Sequence, residues 1–248
     1  MSHKVIFITG SSRGIGRAAA IQAGQRGWSV AVNYQGNRAA AEEVVRTIEH
    51  AGGQALAVKG DVAREEDVLG MFDAAAQLGR LDGVVVNAGI VGPPLPLVDM
   101  TVERLQRMFD VNVLGAYLCA REAARRMIKS RGGKGGAIVL VSSVAATLGS
   151  PNEYVDYAGS KGAIDTLTKG LSKELGSEGV RVNCVRPGLI DTDIHASGGQ
   201  PDRAARIGVL APLGRPGTAD EVAEAIIWLL SDASSYASGA ILDISGGR

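Results

Sequence analysis

Disulfide chemistry is the first thing this sequence excludes. It has only two cysteines, Cys119 and Cys184, both inside apolar segments, and no spacing that would hold a metal. Two buried free thiols in a reducing compartment are the simplest account. An excess of one charge is also missing, since 26 Lys and Arg balance 26 Asp and Glu. That argues against a nucleic acid or a membrane surface as partner. The longest apolar stretches, such as Ala225 to Leu230, are far too short to span a bilayer. The apolar run Val5 to Ile8 starts so early that a signal peptide has no room, so a cytoplasmic protein is expected. Aromatics are scarce, at 4%.

Glycine, by contrast, is frequent: 34 of 248 residues. Small residues at this density suit close helix–sheet packing and tight turns. Strand-like runs fall near 4–9, 28–33, 54–59, 82–87, 137–142, 180–186 and 240–244, and helical patterns near 14–27, 38–51, 64–78, 101–131, 157–178 and 218–231. Repeated βα units predict an α/β domain with a parallel sheet and helices on both faces. The near-continuous apolar strands fit a sheet covered on both sides. No composition shift or linker divides residues 1–248, so one domain is expected. Two irregular stretches, Gly92 to Pro96 and Leu189 to Pro212, follow strands. They should overhang the C-terminal edge of the sheet, where open α/β sheets bind ligands, and are lid candidates. The glycines around Lys134 read as a surface turn.

The chain is organised around Ser143 to Lys161. The apolar series Ile164, Leu167, Leu171 and Leu175 has helical spacing and places Tyr157 in a helix's first turn. Residues four apart on a helix are neighbours, so Tyr157 and Lys161 should share a side. An ammonium beside a phenol lowers the phenol's pKa, which makes the pair an acid–base device for an alcohol/ketone couple. Ser143, at the end of a buried strand, can hold a substrate oxygen against the Tyr157 hydroxyl. A core-packed tyrosine with an exposed lysine is the plainer alternative.

Thr9-Gly10-Ser11-Ser12-Arg13-Gly14-Ile15-Gly16 joins the first strand to the first helix. Glycines there permit a tight turn and close approach to a pyrophosphate at the helix N-terminus. The second strand ends at Asn33, where an acidic residue would favour NAD by accepting from a ribose hydroxyl. Asn33 with Arg13 and Arg38 instead points to a 2′-phosphate, hence NADP(H) over NAD(H). Asp61-Val62 follows the third strand, where the acid can accept from an adenine amino group or cap the next helix. Asn87-Ala88-Gly89 leaves room for a flat ring, and Asn87 can tie neighbouring strands together. Asn112 lies in a helical stretch, where asparagine competes for backbone groups; a kink holding a water, or a solvent-facing side chain, are the two readings. In Pro187-Gly188-Leu189-Ile190-Asp191-Thr192, Thr192 can bond a carboxamide.

Together, in order and spacing, these residues resemble the short-chain dehydrogenase/reductase family along the whole chain. The resemblance implies a Rossmann-type, doubly wound seven-stranded sheet of order 3-2-1-4-5-6-7. It also implies a homotetramer using the helices near 101–131 and 157–178, and catalytic roles for Asn112, Ser143, Tyr157 and Lys161. One motif departs from the family pattern: Val86, not a second asparagine, precedes Asn87. The chain looks most like the branch near glucose dehydrogenases and 3-oxoacyl-carrier-protein reductases. The implied function is NADP(H)-dependent hydride transfer to or from a small polar carbonyl or alcohol: a sugar, small ketone or 3-oxoacyl compound. A non-catalytic nucleotide sensor of the same fold is the alternative. An epimerase or dehydratase would need an added substrate domain, for which there is no length. For an acidic carrier-protein partner, Lys134 fits the expected basic rim and Glu178 does not. His195 reads as an exposed loop residue.

Overall fold

Alternation along the first strand decides the layering. In Val5–Ile8 (β1), Val5 and Phe7 enter one apolar cluster and Ile6 and Ile8 another, because successive strand side chains face opposite ways. In the computed structural model, which describes residues 3–248, six more strands follow. They are Ser29–Tyr34 (β2), Gln54–Lys59 (β3), Gly83–Val86 (β4), Gly136–Val141 (β5), Val180–Pro187 (β6) and Ile241–Ile244 (β7). All pair in parallel, in the order β3-β2-β1-β4-β5-β6-β7, as the family resemblance implied.

Seven main helices cover the two faces: Gly14–Gln25 (α1), Arg38–His50 (α2), Glu65–Ala75 (α3), Val102–Phe109 (α4), Gly115–Met127 (α5), Val155–Leu175 (α6) and Ala219–Leu230 (α7). Ala19, Ala23, Val44, Ile48, Ile226 and Leu230 bring α1, α2 and α7 against Ile6 and Ile8. On the other face α3, α5 and α6 pack through Phe72, Met127 and Ile164, and Phe72 meets Phe7 edge to face at 4.9 Å. Both cysteines are buried and unpaired. Burial pushes the Cys119 thiol up to about 12 and that of Cys184 to about 11.

The expected helix over 101–131 is interrupted. Between α4 and α5 the backbone forms a π turn, Asp110–Leu114, with Asn112 inside it; an asparagine that bonds elsewhere is accommodated by such a bulge. The stretch after β6 is more ordered than its composition suggested. Ile190–Asp191 pairs with Gly217–Thr218, and two short helices, Ile194–Ser197 and Arg203–Gly208, lie between them. A further expectation fails on topology. Lys134 immediately precedes β5 and Glu178 lies just before β6, so both sit at the N-terminal edge of the sheet. The glycine turn, Asn87, Ser143 and Pro187-Gly188 all lie at the opposite edge. Lys134 and Glu178 therefore cannot form a rim around that site.

At the C-terminal edge α1 crosses β1 and the segment after β4 at the closest possible range. A Cβ on Gly16 would stand 2.5 Å from the Gly10 carbonyl oxygen and 2.6 Å from Asn87 Nδ2. Replacing Gly16 by Ala is expected to destabilise the protein by about 1–3 kcal/mol through overpacking. Urea unfolding measures this; an unchanged midpoint would mean that the turn yields freely.

Candidate active site

The site begins with the turn Thr9 to Gly16. Gly10 and Gly14 have φ of +62° and +56°, a region that favours glycine. No side chain caps the N-terminus of α1, so its first N–H groups face a cleft of about 920 Å³, which suits an anion. Asn87 Nδ2 donates to the carbonyls of Thr9 (2.9 Å) and Gly10 (3.0 Å), and the N–H groups of Asn87 and Ala88 donate to Thr9 Oγ1. The end of β4 is thereby locked to the turn. Gly10, Ser12, Arg13, Gly14, Ile15, Asp61, Val62, Asn87, Ala88, Gly89 and Thr192 all border this cleft.

A cavity of about 170 Å³ opens beyond it. Ser143, Tyr157, Lys161, Pro187, Gly188 and Ile190 line it, together with Asn87 and Gly89. Tyr157 and Lys161 thus share a side, with the ammonium 5.6 Å from the centre of the phenol ring. Lys161 is buried and donates to the Val141 carbonyl at 2.8 Å. Burial lowers its pKa from 10.5 to about 8, against the opposing pull of Cys184 and Asp165. The phenol differs from expectation. Burial raises the Tyr157 pKa, and only the neighbouring Ser143 hydroxyl pulls it down. In the chain alone, loss of water decides the direction.

Asn112 is 1% exposed, so the solvent-facing reading fails and the kink stands. Its Oδ1 accepts from the Ile90 N–H (2.8 Å), and its Nδ2 donates to the Ile90 carbonyl (2.9 Å) and to Ser160 Oγ on α6 (3.1 Å). A Cβ on Gly89 would lie 3.3 Å from Asn112 Oδ1 and 3.4 Å from Lys161 Nζ. The bare glycine keeps that gap open between the two.

Among the nucleotide candidates, Asn33 and Arg38 are placed differently from the rest. Asn33 borders the cleft but is only 2% exposed. Its Oδ1 accepts from the Gly10 N–H, and its Nδ2 donates to the carbonyls of Val58 and Gly60. Its amide thus faces inward and holds the turn from the cleft wall. Arg38 lies outside the cleft wall and bonds Glu42 one helical turn on, at 2.6 Å. Arg17, which sequence reasoning missed, borders the cleft and pairs with Glu43 at 3.4 Å; its place one turn into the helix that Arg13 precedes was the available signal. Asp61 accepts from the Ala63 N–H and from Gln35 Nε2, but α3 begins at Glu65 behind Arg64 with no side-chain cap, so Asp61 braces the turn before the helix and does not cap it. Tyr34 and Gln35 also border the cleft.

On the outer side, His195 is half-buried rather than an exposed loop residue. It lines the cavity, its ring bonds the Ile190 carbonyl at 2.9 Å, and burial lowers its pKa. Sequence reading also missed the latch that holds this segment. Arg203 pairs with Glu153 at 2.7 Å and lies over the Tyr154 ring, while Gln200 donates to the Tyr154 hydroxyl. Arg13 reaches across from the glycine turn to Ser197 Oγ at 3.1 Å. Among the described residues no His/Cys/Asp/Glu group could hold a metal, and no helix is long and apolar enough to cross a membrane.

Known proteins resemble the chain over nearly its whole length. A family model described as "Enoyl-(Acyl carrier protein) reductase" matches residues 10–248. An "Uncharacterized oxidoreductase YgfF" of Escherichia coli (strain K12) is 53% identical, covering 98% of this chain and 99% of its own. An "L-rhamnose 1-dehydrogenase (NAD(P)(+))" of Sphingomonas sp. (strain SKA58) is 39% identical, covering 98% and 95%. The crystal structure of a short-chain type dehydrogenase/reductase from Mycobacterium marinum superposes with a TM-score of 0.92 at 37% identity, covering 99% and 95% of the two chains. With its sheet order and these relatives, the chain belongs to the short-chain dehydrogenase/reductase family of NAD(P)-dependent oxidoreductases.

Proposed function

We propose that this protein interconverts a carbonyl and a secondary alcohol on a small polar substrate, using NADP(H) in preference to NAD(H). The observation that carries the reading is one small cavity, lined by Ser143, Tyr157 and Lys161, beside the cleft of the glycine turn. The uncapped helix start and the left-handed glycines fit a pyrophosphate, and the gap over Gly89 fits a flat ring. Bound NADP(H) supplies or accepts the hydride.

Ser143 donates a hydrogen bond to the substrate's carbonyl oxygen. Tyr157 gives that oxygen its proton, and its raised pKa keeps the phenol protonated and ready near neutral pH. Lys161, titrating near 8, replaces the phenol's proton, and a water in the gap between Lys161 and Asn112 links that step to solvent. Lys161 and Tyr157 also hold the cofactor's ribose. Arg13 and Arg17 favour the 2′-phosphate. The apolar lining contributed by Val91, Leu148 and Ile194, with Tyr154 and His195 at its polar end, suits a small ketone or sugar. Exposed Val102, Phe109, Leu114 and Tyr117 on and between α4 and α5 support a homotetramer. The intact acid–base cluster leaves nothing in favour of a non-catalytic sensor.

A screen of carbonyls and alcohols, following NADPH and NADH absorbance separately, tests the class and the cofactor together. Tyr157→Phe is expected to lower kcat by about 100-fold or more with cofactor affinity retained; near-normal turnover would refute the mechanism. Arg13→Ala combined with Arg17→Ala should weaken NADPH binding roughly 10-fold, or about 1.4 kcal/mol, and leave NADH binding unchanged. An equal effect on both cofactors removes the 2′-phosphate assignment.

Lys161 gives a pH test. Its folded pKa lies below the unfolded one, so burial opposes the charged form. The penalty is complete below about 8 and fades as pH rises towards the unfolded value. Relative to Lys161→Met, the wild type should gain stability between pH of about 7 and about 10, by roughly 3 kcal/mol. Parallel stability curves from chemical unfolding would show that Lys161 titrates as an ordinary lysine.

A further inference from the structure

We propose that Arg104 and Asp156 form a positioning clamp that sets the orientation of Tyr157; this rests on Tyr157 being the proton donor. Asp156 is the second residue of α6, and its carboxylate is fully enclosed, while Arg104, on α4, is 15% exposed. The guanidinium forks onto the carboxylate, Nε to Oδ2 at 2.9 Å and one terminal nitrogen to Oδ1 at 3.3 Å. The other terminal nitrogen donates to the Pro93 carbonyl at 2.6 Å. Asp156 Oδ1 in turn accepts the Tyr157 N–H at 2.9 Å. The Tyr157 carbonyl is held as well: it accepts from Ser160 Oγ at 2.7 Å, and Ser160 Oγ accepts from Asn112.

Both backbone polar groups of one residue are thus tied to the same neighbouring helical stretch. The N–H is tied through Asp156 to Arg104, the carbonyl through Ser160 to Asn112. No side chain caps the start of α6, so the first turn depends on this pair for its polar partners. A buried ion pair adds little net stability over apolar residues of the same size, but its fork geometry fixes a direction. The Pro93 bond draws in the loop after β4, whose Leu95 N–H also bonds the Glu153 carbonyl. The clamp therefore ties the loop after β4 to the start of α6 while it holds the Tyr157 backbone.

The test uses Arg104→Lys, Arg104→Met and the double variant Arg104→Met/Asp156→Asn, which leaves no unpaired buried charge. Four quantities are read: the thermal unfolding midpoint, NADPH affinity by fluorescence, hydrogen exchange at the Tyr157 amide, and kcat and KM on the carbonyl compound that the screen finds best. The double variant should melt near wild type and bind NADPH within about twofold. Its Tyr157 amide should exchange faster, and its kcat should fall roughly 10- to 100-fold, the scale of displacing a reacting group by about 1 Å, with KM little changed. Arg104→Lys should recover part of kcat, since an ammonium keeps the charge but cannot fork. Wild-type kcat in the double variant, or a lost kcat with unchanged exchange at Tyr157, overturns the clamp. Full activity in Tyr157→Phe overturns the acid–base reading instead, and amide exchange still decides whether the clamp exists.

Discussion

The Asn87 amide holds the working edge of the molecule together. By donating to the carbonyls of Thr9 and Gly10 it joins the end of β4 to the turn after β1. Every ligand-facing feature is measured from that junction. The start of α1 must pass within contact of it, which is why only glycine fits at position 16. Asn33 repeats the device one strand further out, with its Oδ1 on the Gly10 N–H and its Nδ2 on the carbonyls of Val58 and Gly60. One half-buried amide and one buried amide therefore pin a glycine-rich loop that would otherwise have many conformations. What remains free there are backbone N–H groups at the start of α1, aimed into the cleft.

The second constraint is dehydration of the proton-handling groups. Burial moves Tyr157 upward from 10.0 and Lys161 downward from 10.5 to about 8, so their affinities for a proton move apart and the ammonium becomes the stronger acid of the two. A proton therefore passes downhill from the Lys161 ammonium to the phenolate that Tyr157 leaves behind. The fold achieves this with a short apolar wall rather than a fixed counter-ion, and the Val141 carbonyl gives the ammonium a partner that carries no charge.

Much of this was legible in the chain. Tyr157 and Lys161 are one helical turn apart, and α6 places them as that spacing requires. Asn112 betrayed the π turn because an asparagine in mid-helix must bond something. The parallel sheet followed from alternating apolar runs. What failed depended on distances that local pattern does not encode. Lys134 and Glu178 sit beside strands of the right sheet but at the wrong edge. Arg38 follows the right strand, yet Glu42 on its own helix claims it. Asn33 stands at the right position with its side chain turned inward, a choice made by the carbonyls of β3 and not by its neighbours in sequence. The latch of Arg203, Glu153 and Tyr154 joins residues some fifty positions apart, and neither end carries a motif. Lowering of the phenol's pKa by its lysine was also expected, and failed because burial was left out of the comparison.

Arg13 touches both halves of the working edge. One terminal nitrogen of its guanidinium reaches Ser197, on the short helix beside the outer chamber. Its other N–H groups are not spent on that hydroxyl, and the residue also borders the cleft of the glycine turn. The segment after β6 is thus fastened to the first turn of the chain by a contact that leaves most of the guanidinium's donors in hand.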